Sequence, residues 1–197
     1  MIYKNQEQVC LTPNQLNQTS SIMRLWLEDA IWSRAYVLSI IGDQPYQSAV
    51  TDRLFQVPTD FYEVLKVFWG EEIAIQYMNY MIERISHQKD LLKAMIRQDQ
   101  AEVDMHTREL YANADGISTF FDQFPRWDKN VWQQFLYSDI RMYLNQVTAM
   151  MSGNYSEAIT IFDRIVSNTI DMGNYMAFGI ITRSMFNTSK APTMRCF

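Results

Sequence analysis

Apolar side chains recur along most of this chain at intervals of three and four residues, which is the period of an amphipathic helix. Only six glycines and five prolines interrupt the pattern over 197 residues, and no segment keeps the strict alternation typical of a strand. The pattern therefore predicts an all-α fold. We expect an up-down bundle of four or five long helices with a short helical crossover, ferritin-like in its general architecture.

Capping residues and breaks predict where the helices begin and end. Thr12 and Pro13 are suited to the N-cap and first turn of a helix that runs to Gly42. Val57-Pro58-Thr59-Asp60 predicts a break in the crossover, between a short helix over 47–56 and another over 61–69. The other helices are predicted over 71–97, from about 103 to Pro125, from Asp128 to Ser152, and over 155–185.

The length and composition indicate one globular domain. Hydrophobic residues make up 48% of the chain and aromatic residues 14%, well above the content of a disordered sequence. We expect an irregular N-terminal segment over 1–18, a single bundle domain over 19–186 and a flexible C-terminal tail over 187–197. No internal repeat of about 20 to 50 residues is apparent, so a solenoid is excluded.

Three ionisable residues fall on apolar stripes of three different predicted helices: Asp29, Arg84 and Asp139. A buried charge is costly unless it is paired and hydrogen-bonded, and one guanidinium between two carboxylates satisfies several groups together. We therefore predict a polar centre formed by the three, extended through hydrogen bonds by Asn113 and Tyr111. The alternative is that a helix is rotated by one position, which would move these side chains to the edge of the bundle.

The charge and the ends of the chain limit its partners and its location. The net charge is −5 and the sequence contains no basic stripe, which argues against a nucleic-acid partner. The apolar runs are too short for a membrane-spanning helix, and the polar first residues do not resemble a secretion signal. Cys10 and Cys196 are interpreted as free thiols, so we expect a cytoplasmic protein.

The sequence contains few residues in the patterns of known catalytic or metal-binding motifs. The histidines, His87 and His106, do not complete the Glu-x-x-His motif of di-iron bundles. Glu83 and Glu102 each lie one helical turn before a histidine, a spacing typical of solvated surface pairs. The glycines are isolated, so a phosphate-binding loop is absent, and no nucleophile motif is present. We predict no catalytic residue, no metal and no cofactor, and we disfavour an enzyme.

Several short motifs resemble a family of uncharacterised helical proteins from spore-forming Gram-positive bacteria, often named acetylglutamate kinase. The resemblance covers about Leu25 to Gly179, and the Tyr-Ala-Asn-Ala-Asp run over 111–115 is its most specific part. The resemblance implies a bacterial helical protein; the kinase name conflicts with the absent phosphate-binding loop. The other matching residues are Leu25-Trp26, Trp32-Ser33-Arg34, Arg53-Leu54, Pro58-Thr59-Asp60-Phe61, Leu65-Lys66, Phe68, Gly70 and Ile117.

The chain departs from this family at the residues of the predicted polar centre. By the resemblance, relatives carry histidine at the positions of Asp29, Arg84 and Asp139, and glutamate at the position of Leu27. Such a set implies a metal or cofactor site in those relatives, whereas the Asp/Arg/Asp set here does not.

Two hypotheses of function follow from these observations. The first is a non-enzymatic binding or structural protein whose polar centre fixes helix register and whose aromatic surface binds a protein partner or a second copy. The second is a ferritin-like bundle that binds a metal or a small ligand through the central carboxylates. We prefer the first, because the cation supplied by Arg84 makes a metal redundant.

Overall fold

A computed structural model describes residues 12–187 of the chain, with side chains described as far as residue 181. Within this range the chain is helical, without strands, which confirms the all-α bundle. Six helices follow one another: α1 (Pro13–Ile41), α2 (Gln47–Trp69), α3 (Glu71–Arg97), α4 (Gln100–Asp122), α5 (Lys129–Met151) and α6 (Tyr155–Asn187). Cys10, Cys196 and the predictions for 1–11 and 188–197 lie outside the described residues.

Helix α1 begins at the predicted cap. The hydroxyl of Thr12 accepts a hydrogen bond from the backbone N–H of Gln15, and the Gln15 side chain accepts one from the backbone N–H of Thr12. This reciprocal arrangement satisfies two backbone donors that the first turn leaves free. Residues 13–18 therefore belong to the first bundle helix, and their assignment to an irregular segment is corrected.

The predicted break at Pro58 is wrong, because α2 runs through it without interruption. A proline inside a helix removes one backbone hydrogen bond and disfavours helical geometry. In α2 the buried side chains of Val57, Phe61 and Leu65 pack in the core on either side of Pro58, which is itself buried. The packing outweighs the local cost, so α2 is a full member of the bundle. A ferritin-like arrangement is not confirmed.

Within the described residues, the helices form a closed ring in which each packs against the next and α6 packs against α1. The connections are short, as expected for antiparallel neighbours. Side-chain contacts show the reversed order directly: His87 of α3 meets His106 of α4, and Tyr80 of α3 meets Asn113 further along α4. Helix α1 also contacts α3 and α5, which brings the odd-numbered helices together at the centre.

The odd-numbered helices share a register that repeats every 55 residues, the spacing of the ion pairs that join them. The buried residues at this spacing lie at equivalent positions along α1, α3 and α5. They include Ile22, Tyr77 and Trp132, then Trp26, Met81 and Leu136, and then Val37, Leu92 and Val147. The bundle thus consists of three helical hairpins with matched inner faces.

Aromatic rings fill one end of the core. Trp132 stacks on Phe121 with ring centroids 4.0 Å apart, and Trp26 lies 6.0 Å from Trp132. The indole N–H of Trp26 donates to the sulfur of Met176, 3.2 Å away. Large rings bury much apolar surface and pack with preferred geometries, so this cluster is a main source of core stability. No helix within residues 12–187 is both long and apolar enough to cross a membrane.

Candidate functional site

The polar centre is an ion triad that joins three helices. The guanidinium of Arg84 on α3 donates from Nη1 to Asp29 Oδ2 on α1 at 2.7 Å, and from Nη2 to Asp139 Oδ2 on α5 at 2.6 Å. The side chains of Arg84, Asp29 and Asp139 are 6%, 4% and 9% exposed, so both ion pairs are shielded from water. The predicted meeting of Asp29, Arg84 and Asp139 is confirmed, and we call this set the ion triad.

The ion triad contains two acids and one cation, which determines its protonation. Burial raises the pKa of the Asp29 carboxyl; the attraction of Arg84 lowers it only in part, and the charge of Asp139 raises it further. Burial alone would lower the pKa of Arg84, but the two carboxylates outweigh that effect and raise it. Arg84 therefore stays charged, and its single positive charge does not fully offset the cost of burying the Asp29 carboxylate.

Buried tyrosines lie around the ion triad. Burial raises the pKa of Tyr77 well above its ordinary value, with Arg84 lowering it and Asp29 raising it less strongly. The hydroxyl of Tyr143 donates to the backbone carbonyl of Gln88 at 2.9 Å, and burial likewise raises its pKa. Both hydroxyls are therefore neutral at physiological pH. They supply neither a nucleophile nor a base to the ion triad.

Two oxygens beside the guanidinium are buried without a hydrogen-bond partner among the residues described. They are Oδ1 of Asp29 and the hydroxyl of Tyr77. A buried polar atom left in this way costs free energy. Arg84 thus satisfies one oxygen of each aspartate, Asp29 Oδ2 and Asp139 Oδ2.

The expected extension of the polar centre by Asn113 and Tyr111 is corrected. The Asn113 amide donates to the Tyr80 carbonyl at 3.1 Å and to a Glu83 carboxylate oxygen at 2.7 Å. The Tyr111 ring packs edge-to-face on Tyr137, with centroids 4.8 Å apart. These contacts lead to α3 and α5 and away from the ion triad, because both residues lie at the seams that α4 makes with its neighbours.

The Tyr-Ala-Asn-Ala-Asp run of α4 is therefore a packing motif. Its third polar member, Asp115, accepts hydrogen bonds from the Gln133 amide at 2.8 Å and from the Tyr137 hydroxyl at 2.6 Å. The hydrogen bond to Asp115, with burial, raises the pKa of Tyr137 to about 12. Asn113 and Asp115 thus tie α4 to its two neighbours, α3 and α5.

A second ion network lies between α1 and α2, and several of its members belong to the motifs of the resemblance. Glu28 accepts from Arg24 at 2.6 Å and from Arg53 at 2.8 Å. Arg53 also pairs with Asp60 at 3.0 Å and stacks over the Trp32 ring, 5.2 Å from its centroid. These groups are partly exposed, so the network orients α2 against α1 with a small contribution to stability.

The pairing of the two histidines was not predicted from the sequence. His87 and His106 were interpreted as separate surface residues, but their Nδ1 atoms lie 3.3 Å apart across the α3/α4 seam, and both side chains are half-buried. The pairing depends on the antiparallel order and the rotation of α3 and α4 about the turn at Gln98 and Asp99, which the periodicity of each helix does not give. In the described part of the chain, no group of three or more histidine, cysteine, aspartate or glutamate side chains is arranged to hold a metal ion.

A surface cleft of about 420 Å³ opens between α1, α2 and α3. Burial, and then the charge of Asp90, raises the pKa of Tyr36 in its wall to about 12. The charged residues of its lining are one acid, Asp52, and two bases, Lys89 and Lys93. The lining residues are Tyr36, Ile40, Gln47, Ser48, Thr51, Asp52, Lys89 and Lys93.

No protein-family model, curated protein or solved structure matches this chain. The resemblance to the spore-former family therefore stays a prediction.

Replacing Arg84 tests the energetic role of the ion triad. We expect Arg84→Met to lower the free energy of unfolding by about 3 to 5 kcal/mol, because it leaves two buried carboxylates without a cation. Arg24→Met, which breaks an exposed pair, is the matched control and should cost less than about 1 kcal/mol. Urea denaturation followed by circular dichroism measures both, and equal costs for the two variants would contradict the assignment.

The raised pKa of Asp29 predicts how stability depends on pH. The folded state binds a proton at Asp29 more tightly than the unfolded state, so this contribution is largest below the usual Asp range near pH 4. It is lost as the pH rises through the pKa in the folded state. Wild type should therefore lose stability relative to Asp29→Asn as the pH rises from about 4 to 7. Chemical denaturation at successive pH values measures the difference, and a gain in stability with rising pH would contradict the direction.

Proposed function

We propose that this chain is a non-enzymatic helical-bundle protein of binding or structural role. The ion triad fixes the register of α1, α3 and α5, and an apolar outer face binds a protein partner, for which we choose a second copy of the chain. The observation that carries the first part is the sharing of Arg84 between two buried carboxylates on different helices. A cytoplasmic location is part of the proposal, in keeping with a content of only two cysteines.

The chemistry of the ion triad supports a structural role over a catalytic one. A general base needs an available lone pair at a position that substrate reaches. Asp29 and Asp139 each hold the Arg84 guanidinium, and all three side chains are less than a tenth exposed. Charged hydrogen bonds have strict geometry, so a helix that slides or rotates breaks them. The ion triad therefore opposes any shift of one inner helix against another.

The binding face lies on the seam between α1 and α6. The guanidinium of Arg34 on α1 stacks on the Phe162 ring of α6, with its central carbon 4.3 Å from the ring centroid. On α1, Ile31 and Leu38 lie one turn to either side of Arg34 and are 50% and 36% exposed. A helix places residues three and four apart on a common face, so these side chains flank the stacked pair.

Helix α6 contributes the other half of the same face. Tyr155 and Ile159 precede Phe162 by seven and three residues, which places them on its side of the helix, and they are 60% and 53% exposed. We call Ile31, Leu38, Tyr155 and Ile159, with the Arg34–Phe162 pair between them, the α1/α6 face.

A second copy fits the α1/α6 face for reasons of symmetry and composition. A pair of antiparallel helices has nearly the same shape after a rotation of 180° about an axis perpendicular to the face. The face therefore suits a two-fold dimer, in which the same patch of both copies is in contact. Interface centres are enriched in aromatic residues and arginine, and this face carries Tyr155, Phe162 and Arg34. Association would cover apolar side chains that are now half exposed to water.

Introducing a charge on the α1/α6 face tests this function. Ile159→Glu and Ile31→Glu should each weaken self-association by more than about tenfold, because the interface would bury an unpaired carboxylate. Val67→Glu is the control, since Val67 is 77% exposed but lies on α2, outside the face. Light scattering after size exclusion, over a range of concentrations, gives the dissociation constants. A strictly monomeric wild type, or an unchanged Ile159→Glu variant, would refute the proposal.

The alternative function is a bundle that binds a metal or small ligand at its centre. Arg84 occupies the position between Asp29 and Asp139 where a metal cation would be held, and its charge would repel one. This favours the structural role. The kinase activity implied by the family name has no support in the isolated glycines of the chain.

A further inference from the structure

We propose that His87 and His106 form a binding site for a divalent transition-metal ion of the Zn²⁺ or Cu²⁺ class, at the seam between α3 and α4. The site uses one nitrogen from each helix, and solvent completes the coordination. The site lies apart from the ion triad and the α1/α6 face, so the test of this site is independent of the test of the proposed function.

The distance between the two nitrogens carries the inference. The Nδ1 atoms of His87 and His106 are 3.3 Å apart, and the ring planes are inclined at 48°. Two nitrogens bound to one tetrahedral Zn²⁺ at 2.0 to 2.1 Å are themselves about 3.4 Å apart. The pair already has the separation that chelation requires, and both nitrogens are supplied by helices held in place by the surrounding core.

The surroundings of the pair suit a cation. Glu83 and Glu102 each lie one turn before a histidine, on α3 and α4 respectively. Glu83 is exposed and accepts a hydrogen bond from Asn113 of α4, which holds its carboxylate toward the same seam. Glu102 is paired with Arg97, so the charge of Glu83 is the one that attracts a divalent ion. The imidazoles select Zn²⁺ and Cu²⁺ over Mg²⁺ and Ca²⁺, which prefer oxygen ligands.

Metal binding requires a change of tautomer without the loss of a proton. In the metal-free pair, a hydrogen bond at 3.3 Å requires that one Nδ1 carry the proton and the other accept it. With a metal bound, both Nδ1 lone pairs point to the ion and each ring carries its proton on Nε2. The ion therefore replaces one hydrogen bond with two coordination bonds, and it links α3 to α4.

A spectroscopic titration of the wild-type protein, prepared without an affinity tag, tests the site directly. The chain has only two histidines, so every imidazole signal belongs to this pair. We expect Zn²⁺ to shift the ¹⁵N resonances of both Nδ1 atoms together and with saturation, while Mg²⁺ leaves them unchanged. Imidazole resonances that do not respond to Zn²⁺, or that respond for one ring only, would overturn the proposal.

Binding calorimetry of variants provides the second readout. His87→Gln and His106→Gln should each weaken Zn²⁺ binding by more than about tenfold, since a single imidazole cannot chelate. Asp104→Asn, a change at an exposed position on the opposite side of α4 from His106, should bind as wild type does. Wild type should also melt at higher temperature with Zn²⁺, an effect that both histidine variants lose. Unchanged Zn²⁺ affinity in either histidine variant would refute the site.

Discussion

A single guanidinium shared by two buried carboxylates determines how the centre of this bundle is arranged. Arg84 lies between Asp29 and Asp139, and each of the three belongs to a different inner helix. Buried charges are stabilised only while their hydrogen-bond geometry is kept. Displacing one partner costs much free energy, because bulk water does not replace that partner at a buried site. The two ion pairs and the apolar layers above and below them keep the same register along α1, α3 and α5.

The even-numbered helices pack between the inner helices that the ion triad joins. Their polar residues bind across the seams: Asp115 to α5, Asn113 to α3, and Arg53 to α1. Asp115 and Arg53 are more exposed than the ion triad, so their contacts are individually weaker, whereas Asn113 is as buried as the triad. Their number and direction orient each outer helix, so the bundle closes as a ring with a well-defined order. The α1/α6 face and the histidine pair both lie on such seams.

Part of this structure was predictable from the sequence for clear physical reasons. Charged residues on an apolar stripe must pair, so the ion triad could be inferred from helical periodicity alone. The caps at Thr12 and Asp128 depend on local hydrogen bonds and were also predicted. Pro58 was misinterpreted because tertiary packing outweighed a local preference. The partners of Asn113 and the meeting of the histidines depend on helix order and rotation, which one-dimensional periodicity does not give.

The central claim is that the ion triad serves to fix register more than to add stability. The most direct test replaces the whole set with apolar residues, as Asp29→Leu, Arg84→Met and Asp139→Leu in one variant. We expect this variant to keep its helical content and much of its stability. Removing all three charged groups also removes the free-energy cost of taking them out of water. Its ¹H–¹⁵N spectrum should broaden and lose dispersion, as the inner helices sample several registers. A sharp spectrum like that of wild type would contradict the account.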